Sequence, residues 1–210
     1  PIRRDKRAMS TTERHDVIIA GAGMAGATFA LAAAQGGLEV VLVDPQPFTL
    51  QLEPTFDGRS TAIAFSTFRM LDALGVGANL RPHACRMDRI LVTDGKRPGA
   101  ATPAASSTFL RFDADEIGDR TDGEPLGYMV ENRRIRAALA EAVVAAGIEL
   151  RAPAAVASVE AGLATTTVTL ADGSRLEAPL MVGAEGRGSR VRQAAGIDTV
   201  GWSYGQSGVV

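Results

Sequence analysis

The chain has 210 residues, 46% of them hydrophobic, and a formal charge of -2 from 22 basic and 24 acidic side chains. That is enough apolar surface to bury a core and too little net charge to gather nucleic acid or an acidic membrane, so the expected partner is a small molecule. No apolar run approaches the roughly 20 residues that span a bilayer and no signal-peptide pattern is present, which reads as cytoplasmic. Cys85 is the only cysteine, so neither an internal disulfide nor a CxxC thiol relay is available.

In chain order, residues 1–14 lack periodicity and read as a disordered leader, with Met9 a candidate start. Residues 15–20 (HDVIIA) form the continuous apolar run of a strand buried on both faces, stopped by Gly21. A helix is expected from Ala25 to Gln35, with Phe29, Ala30, Ala33 and Ala34 facing inward and Gly36-Gly37 closing it. Residues 38–44 (LEVVLVD) give a second parallel strand, and a Pro-rich loop covers 45–58. The spacing of Ile63, Phe68, Leu71 and Leu74 predicts a helix over 61–74. Strands are expected near 88–93, 107–112 and 126–131, as a separate sheet. A helix over 132–146 follows from Ile135, Leu139, Val143 and Ala146, with Gly147 at its end. From 148 to 184 the pattern is strands again, with a turn at Asp172-Gly173 and a meander crossing between two strands of the main sheet. Residues 188–195 read as a short helix and 199–210 as the start of a strand.

The strongest motif is Gly21-x-Gly23-x-x-Gly26, set between strand and helix, with Asp44 closing the next strand at the distance of a ribose contact. Gly21 permits the tight turn, Gly23 lets the backbone approach a diphosphate, and Gly26 lets the helix pack on the strand. The helix start, at Met24 and Ala25, offers free amides and a partial positive charge to phosphates. This arrangement alone does not separate FAD from NAD.

The stretches DVIIAGAGMAGATFALA, DGRSTAIAFSTFRMLDALGV, LGYMVENRRIRAAL, VGAEGRGSRVRQAAGI and GWSYGQ, in that order over residues 16–206, resemble the ubiquinone-biosynthesis hydroxylases, a branch of the flavoprotein monooxygenases related to p-hydroxybenzoate hydroxylase. The resemblance implies an α/β fold: a Rossmann-like FAD-binding parallel sheet with a β-meander crossover, plus part of a second, mostly β substrate domain. The FAD-binding domain would be discontinuous, over 15–83 and 126–198, with the partial substrate domain over 84–125 and 199–210. Gly21, Gly23, Met24, Ala25, Gly26 and Asp44 would hold the ADP half of FAD. Arg59 matches an arginine lying along the cofactor, and Arg133 starts a helix from which such enzymes reach the flavin diphosphate. Gly183, Glu185 and Gly186, followed by Ser189 and Arg192, match a second fingerprint associated with both FAD and the nicotinamide donor. Family members usually carry Asp where this chain has Glu185, one methylene longer, so hydrogen bonding would persist with shifted geometry. A third family motif, a Gly-Asp pair on the ribityl chain, has no counterpart up to Val210, which implies an N-terminal fragment with weak FAD retention.

The implied activity is hydroxylation of a polyprenylated phenol with NAD(P)H as transient electron donor and O2 as oxidant, and the prenyl tail implies transient contact with a membrane or with partner enzymes. The flavin would carry the hard chemistry, leaving the protein to position the ring and exclude water, which suits a sequence without an obvious catalytic base. Two other readings share the first motif: an FAD-dependent reductase or dehydrogenase on the same fold, and a non-catalytic dinucleotide-binding module. His15, His83 and Cys85 are expected to play structural roles with no metal, and no Ser-His-Asp set or carboxylate pair points to hydrolysis.

Overall fold

A computed structural model describes residues 12–52, 55–93, 108–116 and 123–206. In chain order the elements are β1 (Glu13–Arg14), β2 (Val17–Ala20), α1 (Met24–Gln35), β3 (Val40–Val43), α2 (Thr49–Leu52), β4 (Ser60–Ala64), α3 (Phe65–Ala73), α4 (Gly77–Leu80), β5 (Cys85–Met87), β6 (Arg89–Thr93), β7 (Thr108–Asp113), β8 (Gly127–Glu131), α5 (Asn132–Ala145), β9 (Glu149–Arg151), β10 (Val156–Ala161), β11 (Thr166–Leu170), β12 (Arg175–Ala178), β13 (Leu180–Gly183) and α6 (Arg190–Ala194). Their contacts divide the chain into two units, one of residues 1–57 and 133–210 and the other of Gly58–Asn132. This division places 58–83 and 126–132 in the second unit, whereas the sequence assigns them to the cofactor domain.

The first unit is built on a parallel sheet of order β13-β2-β3-β9. Every residue of β2 and β3 is buried, which is why both read as unbroken apolar runs rather than alternating ones. On one face Ile18, Ala20, Val41 and Val43 pack with Val156, Val168, Leu170, Leu176 and Ala178 of the meander β10-β11-β12. That meander carries the chain from β9 at one edge to β13 at the other, as the sequence predicts. Side-chain alternation sends Val17, Ile19, Val40 and Leu42 to the opposite face, where α1 packs on β2 and β3.

Several expectations are corrected in this unit. Glu13 and Arg14, read from the sequence as disordered, are ordered and pair in parallel with Leu176 and Glu177; residues 1–11 lie outside the described ones. Helix α1 buries Gly26, Ala27, Ala30, Leu31 and Ala33, while Phe29 is 41% exposed and Ala34 half-buried. The face against the sheet is the one that carries Gly26, where a Cβ would lie 1.8 Å from the Gly21 carbonyl oxygen, and Phe29 lies off that face. In α5, Ile135, Leu139 and Val143 are buried as expected, but Ala146 lies past the helix end and is exposed. Of residues 199–210, expected to begin a strand, 199–206 form none and are exposed throughout, and 207–210 lie outside the described residues.

The second unit holds an antiparallel sheet of order β4-β8-β5 and a two-stranded ribbon β6-β7. Residues 61–64, expected to open a helix, instead belong to β4 and pair with β8, Ile63 opposite Tyr128. The helix starts only at Phe65. The side chains picked by helical spacing are nevertheless inside: Ile63, Phe68, Leu71 and Leu74 are all buried, and the Phe68 and Tyr128 rings lie 4.3 Å apart. In the ribbon, the buried Asp113 carboxylate pairs with Arg89 at 2.9 Å and with Arg111.

Candidate functional site

Strand β2 ends at Gly21, whose φ of 100° lies in the left-handed region that side chains other than glycine avoid. The turn is held at the carboxyl edge of the sheet. The Gly21 amide donates to the Val43 carbonyl at 2.7 Å, and the Ala184 amide donates to the Ala20 carbonyl at 2.7 Å. Three strands therefore converge on it, and the second glycine segment, at the end of β13, lies directly against the first.

The three motif glycines do different work. A Cβ on Gly21 would sit 2.5 Å from the Ala184 carbonyl oxygen, and one on Gly26 would sit 1.8 Å from the Gly21 carbonyl oxygen. Both are needed for the backbone to pack at all. Gly23 has φ -71° and ψ -173°, an extended conformation open to any residue, and a Cβ there meets nothing within 4 Å. The absence of a side chain therefore leaves an open surface and is required by no internal contact.

Gly23 is also the N-cap of α1, with no side-chain cap. The first intrahelical bond runs from the Ala27 amide to the Gly23 carbonyl, so the amides of Met24, Ala25 and Gly26 have no partner within the helix. Met24 is half-buried and Ala25 exposed. Uncapped amides, the positive end of the helix dipole and an open backbone at Gly23 together suit an anionic group such as a diphosphate.

Asp44 follows β3, as the spacing predicts. Its Oδ2 accepts from the Ala22 amide at 2.7 Å and its Oδ1 from the Gln46 amide at 2.8 Å. The carboxylate thus braces the glycine turn, and since it has about four acceptor positions it retains capacity for ribose hydroxyls. Beside this edge Ala20, Gly21, Val43, Pro45, Ala154, Ala155, Val156, Glu185 and Arg190 line a cavity of about 100 Å³. The residues present fit the ADP half of a flavin dinucleotide.

In the second fingerprint, the Glu185 carboxylate folds back onto its own chain. Oε2 accepts from Ser189 Oγ at 2.7 Å and from the Val191 amide at 3.0 Å, and Ser189 Oγ in turn accepts from the Arg192 amide at 3.1 Å. Ser189 is the buried N-cap of α6. Gly183 packs under this cap: a Cβ there would lie 3.0 Å from Val191 Cβ. Arg192 turns back to donate to the Arg187 carbonyl at 2.8 Å, and Gly186 takes φ 79°. The segment is a self-contained cap holding Ala184 against Gly21.

The structure does not gather every predicted residue into this site. Arg133 lies over the Phe56 ring, 4.9 Å from its centroid. Arg59 belongs to the second unit, where its carbonyl accepts from the Asn132 amide at 3.0 Å. Sequence reasoning placed Ala184 in the second fingerprint but missed its role, in which its carbonyl seats Gly21, and it missed Arg190, whose guanidinium donates to the Val156 carbonyl at 2.8 Å; neither contact carries a residue-type signal, because each involves a backbone carbonyl distant in sequence from its partner.

The family model described as "FAD binding domain" matches residues 14–209. The chain belongs to that family. As an FAD-binding domain it is 36% identical over 196 residues to the ubiquinone hydroxylase UbiL of Rhodospirillum rubrum, covering 93% of this chain and 42% of that protein. It is 32% identical to the 3-demethoxyubiquinol 3-hydroxylase of Escherichia coli, covering 94% of this chain and 48% of the other. Among solved structures, the anhydrotetracycline hydroxylase OxyS of Streptomyces rimosus superposes with a TM-score of 0.69 at 25% identity, over 90% of this chain and 35% of that one. The FAD-binding domain thus spans less than half the length of these relatives. Among the described residues, no helix is long and apolar enough to cross a membrane.

Proposed function

We propose that the protein is the FAD-binding part of a monooxygenase that hydroxylates the aromatic ring of a polyprenylated phenol in ubiquinone biosynthesis. The observation that carries this reading is the open, uncapped turn at Gly23, set at the carboxyl edge of the sheet in a chain 36% identical to a ubiquinone hydroxylase. Bound FAD would supply the redox and oxygen chemistry. The amides of Met24 and Ala25 and the backbone of Gly23 hold the diphosphate, Asp44 accepts from the ribose, and Gly21 and Gly26 set the turn. Glu185, Ser189, Arg192, Gly183 and Gly186 support it from the segment that begins with the end of β13. NAD(P)H is the electron donor and O2 the oxidant. The prenyl tail of the substrate calls for peripheral contact with a membrane or partner enzymes on the cytoplasmic side.

The experiment uses the full-length gene product that contains this chain, loaded with FAD and supplied with NAD(P)H, O2 and a short-chain prenylated phenol. The expected result is a product heavier by one oxygen atom, labelled when 18O2 is used. Reduction of the flavin with no ring product, in the presence of that phenol, would refute the hydroxylase assignment and favour a reductase.

A further inference from the structure

The amino edge of the parallel sheet, opposite the glycine turn, carries a cluster that the nucleotide site does not use. His15 lies two residues before β2 and its side chain is 3% exposed, yet neither ring nitrogen has a hydrogen-bond partner. Buried polar atoms in that state are costly, and their presence calls for an occupant. Each nitrogen instead faces a carboxylate 3.9 Å away, Nδ1 towards Glu39 and Nε2 towards Glu149, a gap too wide for a hydrogen bond. Glu13, His15 and Glu149 each present one ligand atom, all within 4.8 Å of one another.

The charge around the ring is unbalanced. Arg151 bonds both Glu13 and Glu149 and Arg14, which pairs with Glu177, lines the cavity beside His15, but these two guanidinium groups stand against the five carboxylates of Glu13, Asp16, Glu39, Glu149 and Glu177. The negative ends of two helices add to the deficit: Gly37 and Gly147, just past α1 and α5, line a cavity of about 440 Å³ together with Glu39 and Glu149. A second cavity, of about 370 Å³, opens beside His15 between Asp16, Glu39 and Glu177, so the cluster is reachable from solvent.

We propose that His15, Glu149 and Glu13 form a binding site for a divalent transition-metal ion of the Zn2+ class, with Glu39 closing the Nδ1 side. Imidazole and carboxylate are the N and O donors that Zn2+ takes, at about 2.0–2.2 Å each in tetrahedral geometry, so Nε2 and the Glu149 carboxylate, 3.9 Å apart, would close by about half an ångström on the ion, and Glu13 would move in further to complete the set. A dication also offsets the carboxylate excess, which a proton on the ring would offset only in part. A sequence reading finds none of this, because Glu149 arrives 134 residues after His15 and only the sheet register joins them.

The test is titration of the metal-free full chain with ZnSO4, read by calorimetry and by the melting temperature. Saturable uptake of a single equivalent is expected, with a rise in melting temperature. His15→Gln and Glu149→Gln should each weaken it roughly tenfold or more, while Glu160→Gln, at an exposed position of β10, should leave it unchanged. Glu149 is partly exposed, so its isosteric change keeps the proposal testable should His15→Gln fail to fold. Absence of saturable uptake, or uptake that survives both substitutions, would overturn the site.

Discussion

Gly23→Ala and Gly26→Ala should separate binding from folding within one six-residue motif. At Gly26 the added methyl lands 1.8 Å from the Gly21 carbonyl oxygen, so helix α1 must back away from β2. Overpacking of this kind costs about 1–3 kcal/mol, more than the roughly 1 kcal/mol that alanine gains over glycine inside a helix. With about 2–4 °C of melting temperature per kcal/mol in a chain of this size, a net loss of several degrees follows. At Gly23 the methyl meets no protein atom within 4 Å and the backbone is already extended. A gain of about 0.4–1 kcal/mol from restricting the unfolded chain is roughly offset by the poorer N-cap, so the melting temperature should hold. FAD affinity should nevertheless fall at least tenfold, about 1.4 kcal/mol, because the methyl occupies the surface over which the diphosphate must pass. Thermal melts without FAD and fluorescence titration with it decide the matter. A Gly23→Ala protein that binds FAD like the parent, or a Gly26→Ala protein that melts unchanged, would refute the reasoning.

Asp44→Ala should lower both FAD affinity and stability, because the carboxylate bonds the Ala22 and Gln46 amides; a loss of about 1–3 kcal/mol in chemical denaturation is expected. Glu185→Ala should destabilise by a similar amount, since Ser189 Oγ and the Val191 amide lose their shared acceptor, and faster hydrogen exchange should localise to α6. The Asp113 carboxyl is held below the usual carboxylate range, first by its hydrogen bond from Arg111 and then by the Asp115 amide. A lowered folded value means that the stabilisation is present above the ordinary carboxylate range and is lost as pH falls through that lowered value. Urea denaturation of Asp113→Asn across acidic pH should show a shallower acid limb than the parent.

The β2–α1–β3 unit was legible because its signals are local: two apolar runs, a glycine motif between them and an acid after the second. The meander was legible for the same reason, from alternation and the Asp172-Gly173 turn. Strand β4 was not, because Ile63, Phe68, Leu71 and Leu74 fit one helical face, and only pairing with β8, more than sixty residues later, makes residues 60–64 extended. Phe29 misled because helical spacing finds an apolar stripe without showing which part of it meets the sheet. At the site, Gly21, Gly26 and Asp44 could be named from type and spacing, whereas their seat on Ala184 depends on β13 lying beside β2. The self-capping of Glu185 depends on where its side chain folds, and a motif match treats that position as a simple acid.

A crystal structure of the chain soaked with FAD tests the account most directly. The account predicts diphosphate oxygens about 3 Å from the Met24 and Ala25 amides, passing over Gly23, with a ribose hydroxyl on Asp44. A dinucleotide bound elsewhere, or one whose diphosphate avoids the start of α1, would contradict it.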